Sequence, residues 1–214
     1  MPNIFRGSKK LPIRYYVYIS KTKLEILLPQ LPPRLLRSVE AEIKFNAAGL
    51  TAGVKRAAHA PSPELSAKAG VLGNYLESNS DWVGTVTNPG RYVSGVASLQ
   101  YGVMADYVAS LAVFGGVVDG VKLALIGSPA SLVGAAADTT ANHSLDYYVL
   151  RFLGEDAENG QASSSAETYE AAVEETLNPG VLPSTAFCLK FLAKPLFYNE
   201  RVLVATPIYV ALAD

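Results

Sequence analysis

The stretch from Tyr92 to Val133 decides the fold of this chain: YVSGVASLQYGVMADYVASLAVFGGVVDGVKLALIGSPASLV. From Val93 to Val113 every odd position is apolar or glycine, whereas polar residues occupy many of the even positions. A period of two is typical of strands with one buried face. Asp119-Gly120 then separates two apolar runs, which is a strong hairpin signal. The stretch therefore predicts a β-meander over residues 92–126, followed by a helix.

Shorter patterns on both sides predict the rest of the domain. Ile13–Ile19 and Arg201–Ala205 are rich in aromatic and β-branched residues and predict strands, the second of which is expected to end at Thr206-Pro207. Apolar residues at helical spacing predict a helix over Glu64–Ser78. Ala186–Leu196 fits either a helix or a strand.

These patterns predict a single α+β domain over residues 13–214, preceded by a basic lead segment at residues 1–12. Its centre is expected to be a largely antiparallel sheet, with the meander in the middle and a few helices on one face. Such a sheet would leave its second face free for a ligand, a partner protein or a second copy of the chain.

Composition excludes several classes of function. The net charge of −1 over 214 residues argues against nucleic-acid binding, which needs a basic surface. The longest apolar run, Tyr107–Val118, is shorter than the ~20 residues that a membrane-spanning helix needs. Cys188 is the only cysteine, so neither an internal disulfide nor a cysteine-based zinc site can form. We expect a cytoplasmic protein without a membrane segment, metal or cofactor.

Two stretches with a shared pattern indicate a candidate ligand site. Lys122–Pro129 and Arg201–Pro207 each contain a basic residue, an aliphatic strand, a small residue, a hydroxyl residue and a proline. Ser128 before Pro129 is typical of a helix start, and the same arrangement exposes backbone N–H groups that can receive a phosphate or carboxylate. Both interpretations stay open. The predicted site for a small anionic or nucleotide-like ligand comprises Gly127, Ser128 and Thr206, with Tyr16 or Tyr18 as a stacking wall.

The sequence offers few candidate catalytic residues. Ser128 would need a base to act as a nucleophile, and His143, after a polar link, is the candidate base. The apolar neighbours Phe187 and Leu189 predict that Cys188 is a buried, inert thiol. The sequence thus favours a protein that is not an enzyme.

Three stretches carry a resemblance to a known family: YYVYISKTKLEILLPQLP, VFGG followed by LALIGSPASLVGAA, and VLVATPIYVALAD. With these residues the chain resembles an uncharacterised domain-of-unknown-function family from actinobacteria and other multicellular or filamentous bacteria. The family more often has Gly-Gly-Ser followed by a histidine where this chain has Ile126–Ser131, which weakens a catalytic interpretation. The resemblance implies a sensor or adaptor in a signalling or biological-conflict system.

The predicted function is accordingly a non-enzymatic ligand-sensing or protein-interaction module of a bacterial signalling or defence system. Its binding partners would be a small anionic ligand and either a partner protein or a second copy in a homo-oligomer. The alternative is a small hydrolase or nucleotide-processing enzyme that uses Ser128 with His143.

Overall fold

The computed structural model of the protein describes residues 14–37, 62–104, 110–134, 153 and 166–213. Within these ranges most of the regular structure is β. The principal elements, in chain order, are β1 (Tyr16–Ile19), α1 (Lys21–Leu27), a 3₁₀ turn (Leu28–Gln30), α2 (Pro63–Glu77), β2 (Val83–Gly84), β3 (Tyr92–Met104), β4 (Leu111–Val118), β5 (Val121–Gly127), a second 3₁₀ turn (Pro129–Ser131), α3 (Ala166–Thr176), β6 (Ala186–Tyr198) and β7 (Val202–Leu212).

Five of the strands close into a small barrel. Strands β3, β4 and β5 pair antiparallel in sequence order, and β5 then pairs in parallel with β7. β7 pairs antiparallel with β6, and β6 returns to β3 through an antiparallel ladder. The order β3-β4-β5-β7-β6-β3 is therefore a closed ring. The two short strands lie outside it, with β1 on β7 and β2 on β3.

The predicted fold class was therefore wrong. The sequence patterns predicted an α+β domain built on a largely antiparallel sheet covered by a few helices. The described part of the chain is instead a mostly β, closed barrel of mixed strand direction with few helices. The meander strands are present, but the sheet does not end at them because β6 bridges β3 and β7. Closure leaves no open inner face of the sheet for a ligand or partner.

The barrel interior is packed with side chains. One buried cluster takes residues from the same face of all five barrel strands, and its largest members include Phe114 on β4, Leu125 on β5 and Phe191 on β6, each 0% exposed. Interior positions of small barrels are normally filled in this way. The barrel interior is therefore a packed core and not a binding cavity.

Two buried layers cover parts of the outer barrel surface. α1 and α2 pack on β1 and the second half of β7, where Leu24 and Leu72 meet Ile208 and Tyr209. α3 packs on β4, β5 and the first half of β7 through Tyr169 and Val173. No helix in the described ranges is long and apolar enough to cross a bilayer.

Two glycines explain one tight turn and one close strand approach in the barrel. Asp119 and Gly120 both have positive φ, 50° and 83°, as the predicted two-residue hairpin requires. At Gly116 a Cβ would lie 2.7 Å from the backbone oxygen of Ser98, so only glycine lets β4 cross β3 this closely.

Two predictions about the last strands need correction. β7 does not end at Thr206-Pro207 but continues to Leu212. Pro207 fits inside it because the register against β6 shifts between Leu192 and Ala193, and proline is tolerated at such bulges. Cys188 is exposed rather than buried. Its neighbour Leu189 belongs to the barrel interior, so the strand alternation turns Cys188 outward.

Candidate functional site

The carboxyl ends of two strands meet beside the middle of β7. β6 occupies one edge of β7 along most of its length, so β5 and β1 share the other edge. β5 runs parallel to β7 as far as Ala205, and antiparallel β1 ends opposite Tyr209. Both strands thus point towards residues 206–208 of β7. We call this place the β1–β5 junction and define it by Ser20, Lys23, Ser128, Lys194 and Thr206.

Ser20 anchors the start of α1 at the junction. Its backbone N–H donates to the carbonyl oxygen of Ile208 over 2.9 Å. Its side-chain oxygen accepts from the backbone N–H of Lys23 at 3.4 Å and from the Lys23 ammonium at 3.5 Å. These last two contacts are at the long limit for hydrogen bonds. The Ser20 hydroxyl, which is buried, therefore keeps capacity for a stronger partner.

Lys23 is a half-buried cation without a described carboxylate partner. Two described carboxylates close to α1 are already engaged, because Glu25 pairs with Lys21 and Glu64 pairs with Lys68. Burial lowers the pKa of the Lys23 ammonium to about 8, since the charged form loses water contact and no described carboxylate pairs with it. A bound anion would supply that missing counter-charge.

Thr206 is 1% exposed, and its hydroxyl is the buried side-chain polar group that has no hydrogen-bond partner in the described part of the chain. Its neighbour Ala205 lines the barrel interior, so alternation places Thr206 on the outer surface. A buried hydroxyl without a partner costs about 1–3 kcal/mol. Such a cost calls for an explanation, and ligand binding is one.

Lys194 approaches Thr206 from the other side. The two residues are directly opposite in the antiparallel β6–β7 ladder. Directly opposite side chains in such a ladder share a face and have Cβ atoms roughly 4.5–5.5 Å apart. Lys194 is exposed and forms no ion pair with a described residue. Thr206 is therefore flanked by Lys194 on β6 and by the start of α1 across the opposite edge of β7.

The predicted residues Gly127 and Ser128 lie at the end of β5, at the same end of the sheet as Thr206. Gly127 faces the barrel interior, where a Cβ would lie 2.9 Å from Cζ of Tyr18 and closer still to its hydroxyl. Glycine is therefore needed at position 127, because a larger residue would clash with the Tyr18 side chain. The Ser128 hydroxyl accepts from the backbone N–H of Ala130 at 3.3 Å, as a cap of the following turn. His143, the candidate base, lies outside the described residues.

Tyr16 and Tyr18 are separated by a bulge. One residue of β7 spans the two-residue step from Tyr16 to Tyr18, so Val17 is the extra residue. Tyr18 turns into the barrel, where its ring meets Phe114 edge-on at 5.9 Å. Tyr16 turns outward to the helices and meets Tyr209 edge-on at 5.6 Å. The structure does not bring the two tyrosines together, and a stacking role for either stays a prediction.

A protein-family model matches most of the chain. A model described as a family of unknown function, DUF7019, matches residues 14–214. The chain belongs to this family. The match spans the whole barrel and all five junction residues. Comparisons with curated proteins and with solved structures found no match.

A second polar cluster of this family member surrounds Glu77, the last residue of α2. Oε1 of Glu77 accepts from the Tyr209 hydroxyl at 2.5 Å and from Ser94 at 3.4 Å, and Oε2 accepts from the Lys190 ammonium at 2.9 Å. The Arg14 guanidinium lies 3.5 Å from Oε2. Burial raises the pKa of the Tyr209 phenol, and the nearby Glu77 carboxylate raises it further.

The Glu77 cluster differs from the junction because its groups satisfy one another. Arg14 also donates to the Tyr209 hydroxyl at 3.1 Å and to the Asn74 amide oxygen at 2.9 Å. The cluster ties α2 to β3, β6 and β7, which is a structural role. At the junction, by contrast, Lys23 and Lys194 have no carboxylate partner and the Thr206 hydroxyl has no hydrogen-bond partner among the described residues. Thr206 was among the predicted site residues, whereas Lys23 and Lys194 were not. The one local signal for Lys23 was a lysine in a helical first turn that contains no acid.

Proposed function

We propose that this protein is a non-enzymatic module that binds a small anionic ligand at the β1–β5 junction and serves as a sensor in a bacterial signalling or defence system. The observation that carries the binding proposal is the buried hydroxyl of Thr206, which has no hydrogen-bond partner in the described part of the chain. It lies opposite Lys194 in the β6–β7 ladder and two residues before Ile208, which is bonded to the start of the helix that carries Lys23. The sensing role rests on the family resemblance of the three quoted stretches.

An anion suits the junction for two physical reasons. It neutralises the half-buried ammonium of Lys23, and it accepts hydrogen bonds from the Thr206 and Ser20 hydroxyls. A cation would be repelled by the lysines, and a neutral apolar ligand would leave the Thr206 hydroxyl unpaired. The Ser128 hydroxyl already caps a turn, which favours a role in holding the end of β5 over a role as a nucleophile.

The sharpest variant is Thr206→Val, which replaces the hydroxyl by a methyl group of similar size. If the hydroxyl serves only the fold, its loss should leave binding unchanged. If it holds a ligand, Thr206→Val should keep or raise the free energy of unfolding, because a buried unpaired group is removed, and should weaken binding about tenfold or more. Stability and binding would then move in opposite directions, which misfolding cannot produce.

Binding is measured by NMR titration of the full chain with acetate, inorganic phosphate and AMP as probes, after native mass spectrometry of gently purified protein for a retained small molecule. Lys23→Met should weaken saturable binding of every probe. Lys21→Met is the matched control, because Lys21 lies in the same helix with a side chain that is 75% exposed and paired with Glu25. If no probe binds in a manner that Lys23→Met weakens, or if Thr206→Val binds like the wild type, this proposal is wrong.

A further inference from the structure

We infer that the β1–β5 junction selects a doubly charged phosphate monoester over singly charged anions such as carboxylates and phosphodiesters. This inference rests on the proposed function and names the class of ligand for the same site. It follows from two lysines without a described carboxylate partner and from the elements on either side of Thr206 that carry them.

Two positive charges are available at the junction. Lys23 comes from α1, whose start is bonded to Ile208, and Lys194 comes from β6, opposite Thr206. Because Thr206 and Ile208 are two residues apart on one strand, their Cα atoms are separated by about 6.6 Å. A compact group bonded to the Thr206 hydroxyl would therefore lie between the two elements that carry these lysines, one on each side of β7.

Other charged groups do not change this count. Lys122, at the far end of β5, is bonded to Glu174 at 2.5 Å, and Arg201 precedes β7 on the same far side. Glu25 and Glu64, the described carboxylates close to α1, are paired with Lys21 and Lys68. Two cations and no unpaired described carboxylate match an ion of charge −2. A single negative charge would leave one lysine without a counter-charge.

The hydroxyl groups favour the tetrahedral shape of a phosphate. Ser20 and Thr206 lie beside the same short segment of β7, and both are buried. A phosphate monoester has three terminal oxygens that can receive hydroxyl and ammonium donors from different directions. A carboxylate has two oxygens in one plane and cannot meet donors from both sides of the strand equally well.

The test compares methyl phosphate with dimethyl phosphate, which differ by one methyl group and one charge. Methyl phosphate is a dianion at pH 7.5 and mostly a monoanion at pH 5.5, because the second pKa of such esters is about 6. Dimethyl phosphate keeps a single charge at both pH values and reports any change in the protein itself. Acetate provides the carboxylate arm. Affinities are measured by NMR titration at constant ionic strength.

At pH 7.5 we expect methyl phosphate to bind at least tenfold more tightly than dimethyl phosphate or acetate. At pH 5.5 this advantage should fall roughly three- to fourfold, because only about a quarter of the methyl phosphate is still a dianion. Lys194→Met should remove most of the advantage, whereas Lys23→Met should weaken all three probes. If the singly charged probes bind as tightly as methyl phosphate, and Lys23→Met still weakens them, the dianion inference is wrong while the anion site stands. If no probe shows saturable binding that depends on Lys23, the anion site itself is refuted.

Discussion

Glu77→Ala is the change that should most strongly loosen α2 from the barrel. The carboxylate accepts two short bonds, from Tyr209 at 2.5 Å and from Lys190 at 2.9 Å, and its side chain is only 20% exposed. The two other contacts, from Ser94 at 3.4 Å and Arg14 at 3.5 Å, are too long to add much. The loss should therefore come from the two short bonds and from the cations that lose their counter-charge.

The expected magnitude follows from these contacts. Two charge-assisted bonds at about 2 kcal/mol each give about 4 kcal/mol. Glu77 ends α2, where a negative charge is unfavourable, so its removal returns roughly 0.5–1 kcal/mol. The net loss is about 3 kcal/mol, which for a chain of this size lowers the melting temperature by roughly 6–12 °C. Typical domains have about 5–15 kcal/mol of stability, so the variant should still fold.

The assay is urea unfolding followed by circular dichroism, with Glu64→Ala as the control on the same helix. Glu64 is exposed, pairs with Lys68 among the described residues and lies in the first turn of the helix, so its loss should lower the free energy of unfolding by no more than about 1 kcal/mol. A double-mutant cycle with Tyr209→Phe adds a second check, because the two side chains share a bond and their effects should not add. Equal effects of Glu77→Ala and Glu64→Ala, or full additivity with Tyr209→Phe, would refute the role assigned to this cluster.

Two further predictions concern buried groups at and near the junction. Burial lowers the pKa of Lys23 from its ordinary value of 10.5 to about 8 in the folded protein, so folding disfavours its charged form. The free energy of unfolding of the wild type relative to Lys23→Met should therefore rise as the pH rises from 8 to about 10.5, and a pH-independent difference between the two proteins would contradict the burial of this ammonium. Gly127→Ala should cost roughly 1–3 kcal/mol because the new methyl group meets Tyr18. Adding Tyr18→Phe should recover part of that loss in denaturant melts, and a cycle without coupling would show that the ring is not what excludes a side chain at position 127.

Local patterns in the sequence predicted the strands of the meander and the helix over Glu64–Ser78. The first strand of the meander and the Asp119-Gly120 turn each depend on neighbouring residues only, and the described part of the structure has both. Closure of the barrel could not be predicted this way. It depends on the pairing of residues 93–100 with residues 186–193, and no local pattern specifies a contact across that separation.

For the candidate site, too, local features could be predicted from the sequence and long-range contacts could not. The shared pattern of Lys122–Pro129 and Arg201–Pro207 predicted that Ser128 and Thr206 lie at similar places in similar stretches, and β5 and β7 are parallel neighbours. Lys194 could not be placed beside Thr206, because that position follows from the β6–β7 register. A strict period of two also puts Tyr16 and Tyr18 on one face, whereas the extra residue at Val17 separates them.

The position of β7 has a consequence for how the chain folds. This strand pairs with β1, β5 and β6, and it follows all three in the sequence. During synthesis the β3–β4–β5 meander can form early, but the ring cannot close until residues 202–212 have left the ribosome. Until then β5 has an unpaired edge and the future interior is open to water, a state that invites aggregation. We therefore expect slow folding, limited by long-range strand pairing, and a dependence on chaperones that the meander alone would not have.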